Sequence, residues 1–294
     1  MSNMTKYSAH CYIFTDRWSD DQLDTLNLVH DLGLDGFEIA TGDDVIFDPA
    51  LTRLRAQALG LELTISPGGR WPNICDLSNV EHENRALGLA WHMKQVDTGA
   101  ELGATAYTGA LYGHPGVLRY RPLDEAETDT LSDGLYKLAD YGQRRGIEIV
   151  IEPMSHFRTH VVNNTQQATR LVQRVSHPNL SILLDTYHLI TETRDYADQI
   201  RSAGASRLWG LHACESDRGT PGGGLVPWPA VFKALCDISF DGHLVLESYN
   251  SSIGLSQGEF AYSRGMMHHV CDDAQTYVSD SLKFLKAGIG MSDC

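Results

Sequence analysis

Four side chains that can bind a metal ion each end a short apolar run in the second half of the sequence. The runs at 147–152, 180–185, 208–212 and 243–247 end in Glu152, Asp185, His212 and Glu247. A single acidic residue in such a place often caps the next helix by accepting hydrogen bonds from its first backbone amides. Independent caps are not expected at the same point of four consecutive runs. The pattern therefore predicts that the four side chains share one metal ion.

Three carboxylates and one imidazole form a hard, oxygen-rich ligand set. Such a set suits Mn²⁺, Mg²⁺ or Co²⁺ better than a structural Zn²⁺, although zinc in a mixed oxygen and nitrogen site stays open. An ion held in this way keeps free coordination positions for two neighbouring oxygens of a substrate. A hydroxy-ketone needs this chemistry, because the metal polarises its carbonyl group and stabilises the enediolate that forms on proton loss.

Proton transfer at carbon requires a base, and two of the four side chains could supply it. Glu152 and Glu247 end predicted strands that lie three apart, so they could flank a bound sugar. Two opposed carboxylates would remove and return a proton on opposite faces, which is epimerisation. One carboxylate that carries a proton between adjacent carbons would give aldose–ketose isomerisation. The sequence leaves both outcomes open.

Three further polar residues are candidate substrate contacts. His188 lies three residues after Asp185, where it could bind a substrate hydroxyl or simply cap the next segment. Arg218 lies in the stretch HACESDRGTPGGG, where it could stabilise a developing oxyanion or remain a surface residue. Glu38 lies in the earlier apolar run 36–40, the second predicted strand, and is predicted to face the same site.

The elements that would position these residues alternate between strand and helix. Such alternation implies parallel strands, and eight units in 294 residues match an α/β fold with a closed (β/α)8 TIM barrel, predicted here as one domain over 1–294. Barrel enzymes place their catalytic groups at the carboxyl ends of the strands. An open doubly wound sheet is the alternative, but it more often carries a glycine-rich loop after an early strand. The predicted strands are 7–14, 36–40, 61–66, 104–110, 147–152, 180–185, 208–212 and 243–247, and the predicted helices are 20–32, 49–59, 80–102, 124–145, 165–175, 195–203, 228–238 and 272–286.

Charge and composition exclude several classes of function. The net charge of −15 argues against binding to nucleic acid or to an anionic membrane. The N-terminus lacks the basic and apolar stretches of a signal peptide, and no window approaches the roughly 20 apolar residues of a membrane span. The six cysteines are scattered without a CxxC pair, which favours free thiols. The sequence therefore predicts a cytoplasmic protein with a small-molecule substrate.

At these motifs the chain resembles the D-tagatose 3-epimerase family, whose members are also called ketose 3-epimerases and are xylose-isomerase-like barrels. The matching stretches, which span nearly the whole chain, include GFEIA, IEIVIEP, LLDTYHL, GLHACESDRGTPGGGLVPW and HLVLES. The resemblance implies that the four strand-end side chains bind one divalent ion, with Mn²⁺ favoured over Co²⁺ or Mg²⁺. It further implies that Glu152 and Glu247 are the acid–base pair and that His188 and Arg218 contact the substrate. A homodimer or homotetramer is also expected.

Two features depart from the family pattern and leave the sugar open. Ketose 3-epimerases usually carry an acidic residue six positions after the ligand of the fifth strand, but this chain has Arg158 there. Arg158 could favour an acidic or phosphorylated sugar, or it could point to solvent. The segment 250–270 is longer and more polar than the family pattern predicts.

The leading prediction is a ketose 3-epimerase that interconverts free ketoses of the D-tagatose and D-sorbose, D-fructose and D-psicose, or L-ribulose type. Rivals on the same scaffold are an aldose–ketose isomerase, a hydroxypyruvate isomerase-like enzyme and an inosose dehydratase-like enzyme. A metal hydrolase similar to endonuclease IV would need several metal ions and more histidines. A sugar-binding protein without catalytic activity would not need four metal-binding strand ends.

Overall fold

The eight strands of the computed structural model, which describes residues 5–253, 266 and 270–291, are parallel and close into a barrel. Each strand pairs with the next along the chain, and the first pairs with the eighth. The (β/α)8 prediction is therefore confirmed, whereas one domain over 1–294 stays a prediction. The strands are β1 (Lys6–His10), β2 (Gly36–Thr41), β3 (Glu62–Pro67), β4 (Ala106–Gly109), β5 (Glu148–Ile151), β6 (Leu180–Asp185), β7 (Leu208–Ala213) and β8 (His243–Leu246).

Helices separate successive strands and cover the outside of the barrel. Two of them have well-defined ends. The helix Glu125–Arg145 begins with a capping box of Asp124 and Glu127 and ends at Gly146, and the helix His82–Leu102 ends at Gly103; both glycines are in the left-handed conformation. These ends agree with the predicted boundaries to within one or two residues. The helices are α1 (Asp24–Asp31), α2 (Pro49–Leu59), α3 (His82–Leu102), α4 (Glu125–Arg145), α5 (Thr165–Val175), α6 (Thr186–Leu189), α7 (Tyr196–Ala203), α8 (Trp228–Asp237) and α9 (Ala274–Met291).

The first strand is shorter than the predicted range 7–14. It ends at His10, and residues Cys11–Ile13 form a 3₁₀ turn. The turn begins there because Nδ1 of His10 accepts a hydrogen bond from the backbone amide of Tyr12, at 3.1 Å. Continuous hydrophobicity does not distinguish a buried strand from a buried turn, so the sequence alone could not fix this end.

Alternation along the strands directs three of the four predicted ligands into the barrel. Side chains two residues apart on a strand lie on the same face of the sheet. Glu152 and Glu247 each follow, by two residues, a valine of a small apolar cluster, and Asp185 follows a leucine of that cluster in the same way. The cluster fills the barrel below the site and consists of Ala106, Val150, Leu183, Trp209 and Val245.

An irregularity in the pairing of β6 with β7 brings His212 to the same face. Ile182 pairs with Leu208, but Leu183 pairs with Gly210, so β7 contains one extra residue at this point. Beyond it the pairing is regular, and Asp185 lies directly opposite His212. The extra residue changes the alternation of β7, so that His212 and Asp185 point the same way.

The cysteines are only partly as predicted. Cys11, Cys75, Cys214 and Cys271 are free and buried, in agreement with the prediction. Cys236, near the end of α8, is disulfide-bonded, contrary to the prediction. Spacing along the chain could not reveal this, because it does not report which thiols approach one another in space. No helix within the described residues is long and apolar enough to cross a membrane.

Candidate metal centre and active site

The four predicted ligands meet at the carboxyl ends of β5 to β8. Each offers one oxygen or nitrogen atom to a group in which all four atoms lie within 4.8 Å of one another. All four side chains are buried: the exposed fraction is 5% for Glu152, 1% for Asp185, 2% for His212 and 8% for Glu247. The described part of the chain contains one group that could hold a metal ion in this way.

The imidazole of His212 lies at the centre of the group. Its Nδ1 is 3.3 Å from Oε1 of Glu152 and 2.9 Å from Oε2 of Glu247. Its Nε2 points the other way and lies 3.5 Å from Oε1 of Glu38. Burial alone would lower the pKa of His212, but the carboxylates of Glu247, Glu38 and Glu152 outweigh that effect and raise it well above the usual range. The ring therefore presents Nδ1 to the shared centre and Nε2 to a separate carboxylate.

Charge and unsatisfied atoms indicate that the group fits a divalent cation. Burial, together with the charges of Glu247 and Glu152, raises the pKa of Asp185 to about 7, although Arg218 opposes the shift. Oδ2 of Asp185 makes no hydrogen bond, even though it lies 2.8 Å from Nη1 of Arg218. Buried acceptors and crowded carboxylates are costly unless a cation offsets them. A divalent ion and Arg218 together would balance the three carboxylates of the ligand set.

Arg218 and His188 lie beside this group, behind the cavity wall formed by the described residues. Nη1 of Arg218 is 2.5 Å from Oε2 of Glu247, and the guanidinium stacks over the ring of Tyr187 at 4.4 Å. Nη2 of Arg218 lies 3.4 Å from Nε2 of His188, whose Nδ1 is 2.9 Å from Oγ of Ser155. Both predicted substrate contacts are thus brought to the centre, and both are almost completely buried.

A buried carboxylate holds the glycine-containing loop that carries Arg218. Glu215 accepts hydrogen bonds from the backbone amides of Gly222 (2.8 Å) and Val226 (3.2 Å) and from the indole of Trp228 (2.6 Å). Arg218 itself has φ of +70°, a conformation that side chains other than glycine rarely adopt. Its backbone is fixed at the amide, which donates to the carbonyl of Glu215 at 2.9 Å. The loop therefore directs the guanidinium inward at the cost of local backbone strain.

A cavity of about 240 Å³ opens in front of the ligand group. It is smaller than the roughly 300–1,000 Å³ of sites for drug-sized ligands, so it suits a small polar molecule. Sequence reasoning missed several residues of its wall. His10 ends β1 and could have been found by the strand-end rule, whereas the loop residues carried no comparable signal. The missed residues include His10, Tyr12, Trp71, His114 and Tyr249.

The two remaining candidates, Glu38 and Arg158, also line this cavity. The oxygens of Glu38 are buried and lie between two histidines, 3.5 Å from His212 and 3.6 Å from His10. Arg158 is half-buried in the loop after β5. The departure noted at 250–270 lies mostly outside the described residues, which omit 254–265 and 267–269.

The sequence profile of the xylose isomerase-like TIM barrel family matches residues 26–287. The chain belongs to this family. Its relatives in the family include the ketose 3-epimerase of Arthrobacter globiformis, which is 30% identical over 253 residues, 84% of this chain and 85% of that protein. The D-psicose 3-epimerase of Agrobacterium fabrum is 28% identical over 83% of this chain and 85% of that protein.

Solved structures of the xylose isomerase-like family agree with this assignment. The D-allulose 3-epimerase from Methylomonas sp., crystallised in complex with D-allulose, superimposes with a TM-score of 0.87 at 26% identity, covering 97% of each chain. The resemblance predicted from the motifs is therefore confirmed at the level of family and fold.

Proposed function

We propose that the chain is a divalent-metal-dependent ketose 3-epimerase that acts on a free ketose. The observation that carries the proposal is the placement of two carboxylates, Glu152 and Glu247, on the same nitrogen of His212 and on the wall of the same cavity. The sugar epimerases among its relatives support the reaction class.

In this proposal Glu152, Asp185, His212 and Glu247 hold one divalent ion, with Mn²⁺ favoured and Co²⁺ or Mg²⁺ as alternatives. When bound, the ion supplies Lewis-acid polarisation of neighbouring substrate oxygens. The fit of three oxygen donors and one nitrogen donor supports a hard ion over a structural zinc.

The proton transfers belong to the chain itself. One of the two carboxylates, Glu152 or Glu247, removes the proton from carbon 3, and the other returns a proton to the opposite face. Arg218 keeps Glu247 oriented through the 2.5 Å contact between Nη1 and Oε2. Contact of His188 and Arg218 with substrate oxygens stays a prediction, because both side chains lie behind the cavity wall formed by the described residues.

The test is incubation of the metal-supplemented protein with a panel of ketoses in D₂O. We expect deuterium at carbon 3 with inversion of configuration. Glu152→Gln and Glu247→Gln should each reduce kcat by roughly 10²–10⁴-fold. Glu62→Gln is the matched control, because Glu62 lies at the opposite end of the barrel, at the start of β3, where it contacts Lys6 and Thr105.

Other products would point to the rival reactions. Exchange at carbon 1 with formation of an aldose would indicate an isomerase, and loss of water would indicate a dehydratase. No exchange with any ketose and any of the three metals would refute the proposal. A homodimer or homotetramer and a cytoplasmic location are proposed on the family resemblance alone, and size-exclusion chromatography with light scattering tests the first.

A further inference from the structure

Arg158 is a cation on the cavity wall without a carboxylate partner among the described residues. The described wall contains three carboxylates, and Arg158 is its sole lysine or arginine. Many other arginines of this acidic chain are paired with carboxylates: Arg119 and Arg121 both contact Glu127, for example. An exposed arginine loses little without a partner, but a half-buried guanidinium beside a closed surface is partly deprived of water. The N–H groups of this guanidinium are therefore available to a molecule bound in the cavity.

The backbone at Arg158 is firmly held, so the side chain projects from a fixed point. The amide of Arg158 donates to the carbonyl of Ser155 at 2.7 Å, and its carbonyl accepts from the amide of Gly116, also at 2.7 Å. Ser155 in turn contacts His188, so the turn is joined directly to the group beside the ligand cluster. A backbone that is fixed in advance removes the cost of ordering this turn on binding, so that only the side chain of Arg158 has to be ordered.

The charge of Arg158 reaches the proposed substrate side of the centre. Arg158 lies on the same cavity wall as Glu152 and Glu247, the two proposed proton-transfer groups. The carboxylates of the ligand set do not prevent an anion from binding there. Their charge is matched by Arg218 and the proposed divalent ion. The fourth carboxylate of the site, Glu38, lies against His10 and His212 and makes no ion pair with Arg158.

We propose that Arg158 recognises a carboxylate at one end of the substrate, so that the enzyme acts on keto-sugar acids in preference to neutral ketoses. This inference rests on the proposed epimerase function. The planar guanidinium matches a carboxylate through two parallel hydrogen bonds. A phosphate monoester carries about twice the charge and presents three oxygens, and the described wall offers no second arginine or lysine to meet them. A carboxylate in place of a terminal hydroxymethyl group also adds little volume to a ligand of this small cavity.

The test compares matched sugars that differ in one terminal group. The probes are D-fructose with D-fructuronate, D-tagatose with D-tagaturonate, and D-fructose 6-phosphate. We expect the wild-type, metal-loaded enzyme to show a higher kcat/KM for the acid of each pair. Arg158→Gln should reduce the ratio of acid to neutral kcat/KM by roughly 10- to 100-fold, mainly through KM. Arg158→Glu should reverse the preference, and Arg158→Lys should fall between, because it keeps the charge but loses the fork.

The control is Arg194→Gln, which neutralises an exposed arginine outside the cavity wall and should leave the ratio unchanged. An equal ratio in wild type and Arg158→Gln would overturn the inference, as would a wild-type preference for the phosphate over the carboxylate.

Calorimetry separates this inference from the proposed function. If wild type turns over neither member of a pair, the epimerase proposal fails, but binding of D-fructuronate to metal-loaded wild type and Arg158→Gln still decides the role of Arg158. Weaker binding in Arg158→Gln by a factor of ten or more would support it, and equal binding would overturn it.

Discussion

Replacing Glu38 by Gln should weaken divalent-metal binding by roughly 10- to 100-fold without unfolding the barrel. Glu38 was predicted from the sequence as a substrate contact, and that role stays a prediction. Its position suggests a different one. The carboxylate is completely buried, and the nearest charged groups are Nε2 of His212 at 3.5 Å and Nε2 of His10 at 3.6 Å. Neither Glu38 oxygen lies within hydrogen-bonding geometry of a donor among the described residues.

The expected magnitude follows from what Glu38 does to His212. A histidine that binds a metal through one ring nitrogen usually donates its other N–H to a carboxylate or carbonyl, which fixes the tautomer and makes the ring more basic. Here Nδ1 of His212 faces the ligand group, so the proton belongs on Nε2, towards Glu38. Gln preserves the size of the side chain and removes its charge. The metal-binding free energy should therefore weaken by the amount typical for removing a carboxylate that contacts a ligand histidine, about 1.4–2.7 kcal/mol.

Calorimetric titration of metal-free protein with MnCl₂ measures this loss directly. Thermal unfolding provides a second reading, because an ion at 100 times its Kd stabilises the folded state by about 2.7 kcal/mol. Glu62→Gln is again the control, since it makes the same chemical change at the other end of the barrel. Unchanged Mn²⁺ affinity in Glu38→Gln, or an equal loss in Glu62→Gln, would refute the assignment of Glu38 as a positioning residue.

Three further substitutions and one control substitution test the fold around the site. Burial and a neighbouring histidine lower the pKa of His92 to about 3 in the folded state. As the pH falls from 6.5 towards 3, His92 therefore gains a proton in the unfolded state but not in the folded state, and the free energy of unfolding should drop by up to roughly 5 kcal/mol. Denaturant unfolding of His92→Gln should show a smaller drop over the same pH range. Both oxygens of Glu215 accept hydrogen bonds from N–H groups, so Glu215→Gln would set an amide NH₂ against one of these groups in either orientation. It should cost about 2–3 kcal/mol in urea unfolding and lower kcat through the Arg218 loop. Gly210→Ala would place a methyl group 2.6 Å from a carbonyl oxygen of β8, and urea unfolding should show a loss of about 1–3 kcal/mol in stability. The control is Gly134→Ala, inside α4, where the methyl group would make only ordinary contacts and should raise stability by up to about 1 kcal/mol.

The positions of the four predicted ligands could be read from the sequence because strand ends are a local property. An apolar run that ends in a polar side chain identifies the strand, and it also places that last side chain at the carboxyl end of the barrel. The partners of those side chains could not be read in the same way. Glu38 and His212 are 174 positions apart in the chain, and only the closure of the barrel brings their side chains to 3.5 Å. The buried position of Arg218 likewise depends on the loop held by Glu215, which composition alone described only as rich in glycine.

The direction of the His212 side chain shows why predicting the right residues does not by itself predict the geometry of the site. On a regular β7 paired from Ile182 and Leu208 onwards, His212 would lie on the face opposite to that of Asp185, because alternation has a period of two. The extra residue between these two pairs reverses the alternation, and Gly210 then sits where a side chain would meet the carbonyl oxygen of His243. The direction of the imidazole thus depends on a glycine that carries no functional group. If that dependence holds, Gly210→Ala should weaken Mn²⁺ binding as well as stability, and a variant that loses stability but binds Mn²⁺ as tightly as wild type would contradict it.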